Sequence, residues 1–233
     1  GRILVRRYKN ISGEAPYLFS DMQNFLSRKH WDSALFLEMM HKYGASPEMF
    51  LYRLTSILPK FFGVNALFFL RFNHRIGSEG FVLDKEIHLG GSYNPHSNVQ
   101  QEHYCRRWIS LNILKDLQAQ INQTPGQAIC SVQRSKYIDS ENEFLCISMA
   151  RPFAPTPNTN SSLTIGLLLN SETKRKIKFW NDEQIAVREV GVTCERCSLI
   201  DCRERVVPPN HFLSQERSKV RQESLEQFIQ DNS

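Results

Sequence analysis

The sequence predicts an α+β domain, an antiparallel sheet flanked by helices. From residue 65 onward, four to six segments rich in aliphatic and aromatic residues are separated mostly by short turn-forming runs. Short turns join antiparallel neighbours, whereas parallel strands need long crossovers. Two helical patterns precede these segments and one amphipathic helix interrupts them. A length of 233 residues with 41% hydrophobic content and 15 Phe supports a substantial core.

Residues 18–43 read as one helix: Phe25, Trp31, Leu35 and Phe36 recur at near-helical spacing, Ser20 and Asp21 mark a start, and Gly44 ends it. In the second helix Ser46 is the N-cap, Pro47 takes the first helical position and Glu48 adds first-turn charge. "EMFLYRLTSIL" continues it to a stop before Pro59. "NALFFLRFN" (65–73) reads as a strand and "GFVLDKEIHLGG" (80–91) as another. After the loop "SYNPHSN" comes a helix in which Tyr104, Trp108, Leu111, Leu114, Leu117 and Ile121 share a face, ended by "TPG" at 124–126. "QAICSVQRSKY", "FLCISMARPF" and "LTIGLLLN" are strands separated by "IDSENE" and "APTPNTNSS", with "SETKRK" as a charged turn. "IKFWND" starts one more strand or an edge, and the polar tail from "SQERSK" onward has helical composition. The divisions expected are a helical segment (1–60), a sheet domain (61–190), a cysteine knuckle (191–212) and a terminal helix or tail (213–233).

The net charge of +5 is spread over Arg6, Arg7, Arg106, Arg107 and the run 174–178, which reads mainly as solvated surface. Such a surface favours an anionic ligand or a place near DNA. No apolar run approaches the roughly 20 residues of a membrane helix, and "GRILVRRYKN" lacks the apolar stretch of a signal peptide. A start at Gly1 rather than Met reads as a piece of a longer protein.

Of the six cysteines, Cys194, Cys197 and Cys202 lie within nine residues, in "CERCSLIDCRERVVPP" (194–209). Cys-x2-Cys is half of a tetrahedral thiolate site, and structural zinc takes four such ligands. A [4Fe–4S] cluster uses similar spacings. Arg196, Arg203 and Arg205 nearby favour the thiolate form. For the fourth ligand the sequence offers His211, Cys105 or an external group, with His103 and Asp201 as weaker choices. His30, His41, His74, His88 and His96 show no ligand spacing. A single metal site with separated remaining cysteines suits a reduced, cytoplasmic compartment. There is no His-Glu-x-x-His, nucleophile elbow or phosphate-binding glycine loop, and Glu38, Glu48 and Asp84 read as helix or turn residues. The expectation is a protein that is not an enzyme.

The spacing Cys-x2-Cys-x4-Cys, followed by Arg and a Pro pair, resembles the C-terminal signature of the short-chain fatty-acyl-responsive transcriptional regulators. These are bacterial Xre-type proteins that include the mycobacterial propionate and glyoxylate regulators. Collinear blocks are similar too: "SPEMFLYRLTSI" with Arg53, "ALFFLRFN" with Arg71, "CRRW" with Cys105 and Trp108, "TPGQAICSVQ" with Gln133, and "FLCISMARPF" with Arg151. The resemblance spans roughly residues 45–210. It implies a GAF-like sheet domain that binds a short-chain acyl-CoA, a small metal knuckle carrying zinc or a [4Fe–4S] cluster, and operator DNA bound through a helix-turn-helix domain outside this chain. The region after Arg71 and the run "DSENE" depart from the family pattern, so the acyl group is left open.

A CoA ester asks for cations at its phosphates, an aromatic surface for adenine and an apolar slot for the acyl group. Arg53, Arg71, Arg106, Arg107 and Arg151 supply charge, with Arg53 and Arg71 also suited to structural pairing with buried carboxylates; Phe69, Tyr104 and Trp108 supply aromatic surface, with Phe69 and Trp108 better suited to the core than to a ligand. Arg71 and Arg151 lead because each ends an apolar strand. Two-fold operators imply a homodimer. The competing class is a zinc-stabilised module that binds protein or nucleic acid without a small ligand.

Overall fold

The computed structural model describes residues 15–90, 102–120, 126–152 and 156–232. Arg6, Arg7, His96, Ile121 and the loop 92–98, all named above, lie outside them.

The predicted helix 18–43 is two helices, α1 (Ala15–Leu26) and α2 (Ser33–Lys42). The break lies at Asp32, whose Oδ1 accepts the Leu35 N–H at 2.9 Å and caps α2. Just before it, the Trp31 N–H donates to Asp182 Oδ2 at 2.8 Å, which ties the connection to a distant loop. Helix α3 (Pro47–Ile57) begins as expected, with the Ser46 hydroxyl accepting from Met49 N–H at 3.3 Å. Its α-helical part ends at Ile57, before Pro59, as expected. A π-helical turn, Leu58–Phe62, carries the chain past that proline and closes on Gly63 at φ +70°.

The sheet is six-stranded and mixed, in the order β2-β1-β5-β4-β3-β6. Its strands are β1 (Leu67–Arg75), β2 (Val82–Leu89), β3 (Ile129–Tyr137), β4 (Glu143–Pro152), β5 (Thr159–Leu168) and β6 (Ala186–Val190). All neighbours are antiparallel except β3 and β6, which run parallel. The expectation of a purely antiparallel sheet fails at this edge. The connection from β5 to β6 is long and crosses the sheet, as parallel pairing requires. It contains the short helix α5 (Ser171–Lys176), where a turn was expected, and buries Ile177, Phe179 and Ile185. Those residues fill the core from a loop, which is why "IKFWND" is apolar without being a strand.

Helix α4 spans only Ile109–Gln120. The residues before it, read as its first turns, pair with the cysteine segment instead. Tyr104 forms an antiparallel bridge with Thr193, Cys105 N–H donates to the Val192 carbonyl at 3.1 Å, and Cys194 N–H donates to the His103 carbonyl at 2.8 Å.

Both faces of the sheet are covered. On the first, Phe69, Ile147, Met149, Leu163 and Ile165 pack against Met22, Phe25, Phe36, Phe50 and Leu54 of α1–α3. On the second, Phe68, Leu70, Phe72 and Phe144 meet Trp108 and the α4 residues Leu111, Ile113, Leu114 and Leu117. Burial on both faces explains why the central strands read as continuous runs rather than alternating ones. A last helix, α6 (Asn210–Asp231), follows the cysteine segment and carries no buried residue. No helix among the described residues is long and apolar enough to cross a membrane.

Candidate ligand cleft and thiol cluster

Arg151 and Arg71 project from the same face of the sheet, but the structure gives them different tasks. Arg71 is consumed by carboxylates. Its Nη1 donates to Glu48 at 2.9 Å and its Nε to Asp84 at 2.7 Å. The hydrogen bond to Asp84 and the charge of Glu48 hold the guanidinium more firmly protonated than an isolated arginine. Lys85 Nζ adds a contact to Glu48 at 3.3 Å and lies 4.4 Å above the Tyr52 ring. Glu48 and Asp84, read from the sequence as ordinary helix and turn residues, thus join α3 to the β1–β2 hairpin.

Arg151 makes no ion pair or side-chain hydrogen bond with any described residue, and it lines an open cleft of about 530 Å³. One wall is the end of α2 and the start of α3, with Leu37, Met40, His41, Ala45, Ser46 and Pro47; the other is the segment leading into β3, with Gln127 and Ala128. The turn that shapes it needs Gly44, at φ +56°. The sheet's register sets Ser161 opposite Arg151 and Asn73 opposite Ser161. The Ser161 hydroxyl and the Asn73 Oδ1 are buried without a hydrogen-bond partner, a costly state for polar atoms. Sequence reasoning singles out neither, since Ser161 reads as part of the polar loop "APTPNTNSS" and Asn73 as the last residue of a strand.

The other predicted ligand residues do not converge on that cleft. Phe69 is fully buried in the first core. Trp108 is 3% exposed, with Nε1 donating to the Gly191 carbonyl at 2.9 Å. The Gln133 amide donates to Ser135 Oγ at 2.8 Å and to the Arg107 carbonyl at 3.3 Å. Tyr104 packs edge-on against Phe72. Arg106 lies 4.5 Å over the Phe81 ring and donates to the Glu79 carbonyl; burial lowers its pKa. Arg107 borders a second cleft, of about 340 Å³, with Asp201, Cys202 and Glu204. Arg53 lies on α3 with its Nε buried and unpartnered.

The thiols are gathered beside the Tyr104–Thr193 bridge. Cys105, Cys194 and Cys197 are buried and Cys202 is half-buried. Burial pushes the Cys105 thiol up to about 11, with backbone N–H groups opposing this and charge on Cys197 and Cys194 adding to it. Cys197 is raised by burial as well, and it feels Cys202. A β-carbon on Gly191 would stand 3.0 Å from Cys197 Sγ, so glycine there lets the thiol approach the backbone. His211 is turned elsewhere: its Nε2 lies 3.6 Å from Glu102 Oε1. Among the described residues, no three His, Cys, Asp or Glu side chains are arranged as a ready metal site.

The loop is instead held by Arg205, which sequence reasoning treated only as a nearby charge. Its guanidinium donates to the carbonyls of Cys194 (2.5 Å), Cys197 (3.3 Å) and Leu199. Glu102 clamps the same loop from outside, accepting from Thr193 Oγ1 at 2.7 Å and Arg196 Nη2 at 2.6 Å.

Compared with protein-family models, curated proteins and solved structures, the chain matches none of them.

Proposed function

We propose that this chain is the effector-binding part of a transcription regulator, and that its effector is a short-chain acyl-CoA or a related anionic metabolite. The observation that carries the reading is the Arg151 cleft. A cation without a carboxylate partner among the described residues stands at one side of a concavity lined by both apolar and polar groups. Its volume lies in the usual range for small-molecule sites. An anionic group would satisfy Arg151, and a short acyl chain suits Leu37, Met40, Ala45 and Pro47. The cleft is bounded by the α2–α3 turn, so a ligand there bears on how the helical layer packs against the sheet. That packing is the element a ligand would bias towards DNA binding by a domain outside this chain.

The cysteine segment is the second part of the proposal. Cys105 is within electrostatic reach of Cys194 and Cys197, and Cys197 of Cys202, and thiols are the donors a thiophilic ion prefers. Cys194, Cys197, Cys202 and Cys105 would hold zinc, or a [4Fe–4S] cluster in its place. A bound ion would supply cross-linking, not reaction chemistry.

Thermal unfolding with acetyl-, propionyl- and butyryl-CoA, each against CoA alone, tests the effector reading. A ligand at about 100 times its Kd stabilises the folded state by about 2.7 kcal/mol. The expected result is a rise in melting temperature with one ester, lost in Arg151→Gln while the ligand-free melting temperature is retained. No rise with any ester, together with tight nucleic-acid binding by this chain, would favour the interaction module. A rise that survives Arg151→Gln would remove the cleft from the proposal.

A further inference from the structure

The Arg151 cleft holds a second base. His41, in the last turn of α2, lines the same concavity and is exposed. Its ring makes no hydrogen bond or ion pair with any described residue. The two bases stand on different layers. His41 belongs to the helices, whereas Arg151 follows the Ile129–Ala150 pair near the end of β4. No Asp or Glu among the described residues lines the cleft, and its apolar lining includes Leu37, Met40, Ala45 and Pro47.

The charged groups nearby are engaged or line another site. Lys42 donates to Asp21 at 2.6 Å, and both line a separate groove between α1 and α2 together with Glu38. Glu48, in the first turn of α3, is held by Arg71 and Lys85. His41 and Arg151 are therefore left to a ligand. One anionic group satisfies Arg151 and leaves the imidazole idle. A molecule with a carboxylate at each end of a short methylene chain engages both bases and sets its middle against the apolar lining. Imidazole changes charge close to neutral pH, and an anion beside it favours the protonated ring.

We propose that the cleft binds a short aliphatic dicarboxylate, with Arg151 holding one carboxylate and protonated His41 the other. The inference rests on the reading of this cleft as the effector site and names the class of anionic metabolite. His41 sets the specificity, because a monocarboxylate of the same length lacks the group it binds. Binding takes up a proton at His41, so affinity falls as the pH rises past the ordinary imidazole range.

Isothermal titration calorimetry on the full chain tests it with matched acids: malonate against propionate, succinate against butyrate, and glutarate against valerate. The dicarboxylate of at least one pair should bind about tenfold tighter or more. His41→Gln should reduce it to the affinity of its monocarboxylate, and Arg151→Gln should weaken both. Each variant should keep the ligand-free melting temperature. Between about pH 6.5 and about pH 8 the wild-type preference should shrink, and no such pH dependence should remain in His41→Gln. Equal affinity within every pair, a preference that survives His41→Gln, or a preference unchanged by pH would overturn the inference. If an acyl-CoA still binds through Arg151, the effector reading stands without it; if neither acids nor esters bind, both fall.

Discussion

The ring of Phe68 fills the space that a side chain at Gly166 would need. The two residues stand opposite each other on β1 and β5, and a β-carbon on Gly166 would overlap the ring atoms Cζ, Cε1 and Cε2. Glycine weakens a strand interior, and here that cost is offset by an aromatic ring lying directly on the backbone. The ring also meets Phe144, with centroids 5.2 Å apart, so it cannot move aside freely. Gly166→Ala is therefore expected to destabilise the protein by about 1–3 kcal/mol, read as a lower melting temperature. In the Gly166→Ala background, Phe68→Leu should recover part of the loss; additive losses would show that the ring is not the cause.

The same pair explains which parts of the fold the residue pattern reveals. Strands β1, β3, β4 and β5 are legible because their apolar residues must fill two cores. Strand β6 is not, since "AVREV" is an exposed edge of ordinary surface composition. The aromatic "IKFWND" was the more strand-like choice, yet its apolar residues reach the core from a loop. Helical spacing of Tyr104 and Trp108 suggested a longer α4, but the backbone there is committed to residues 192–194, a tertiary demand that periodicity cannot register. In the sequence, Arg151 and Arg71 carry the same local signal, an arginine following an apolar run. What separates them is Glu48 and Asp84, brought to Arg71 by folding from outside its own strand.

Arg205 faces three inward-pointing carbonyls of its own loop. One fork-shaped cation satisfies them together, which an ammonium cannot do with the same geometry. Arg205→Met should leave those acceptors unpaired and cost about 1–3 kcal/mol of local stability. The expected readout is faster proteolysis within residues 194–209 at an unchanged rate for the sheet. Arg205→Lys should fall between the two. Equal proteolysis rates in all three proteins would show that the loop does not depend on this clamp.

The metal site proposed for the cysteine segment, and its fourth donor, are open to direct measurement. Cys105 is buried within reach of charge on Cys194 and Cys197, whereas the His211 side chain is 58% exposed and directed at Glu102. Metal content of anaerobically purified protein, measured by elemental analysis, should fall in Cys105→Ser and stay at the wild-type value in His211→Ala. The opposite result would assign the position to His211. Zinc rather than iron in the wild type would decide between an ion and a cluster.

Glu102 links the thiol loop to acid stability. The hydrogen bond from Arg196, reinforced by the Thr193 hydroxyl, holds its carboxyl below the ordinary glutamate range despite burial. Both bonds favour the ionised form, so the folded state binds this proton less readily than the unfolded chain does. The stabilisation is complete above the unfolded pKa of about 4.3 and is lost as the pH falls through the lower folded value. Glu102→Gln removes the charge at every pH. Its melting temperature should lie below that of the wild type at neutral pH, and the gap should narrow as the pH drops below about 4. Asp182, held low by the Trp31 and Gln184 backbone N–H groups, gives both proteins a shared acid response, so the difference between the two melting curves isolates Glu102. A gap that stays constant from neutral to acid pH would mean that the Arg196 contact contributes nothing through charge.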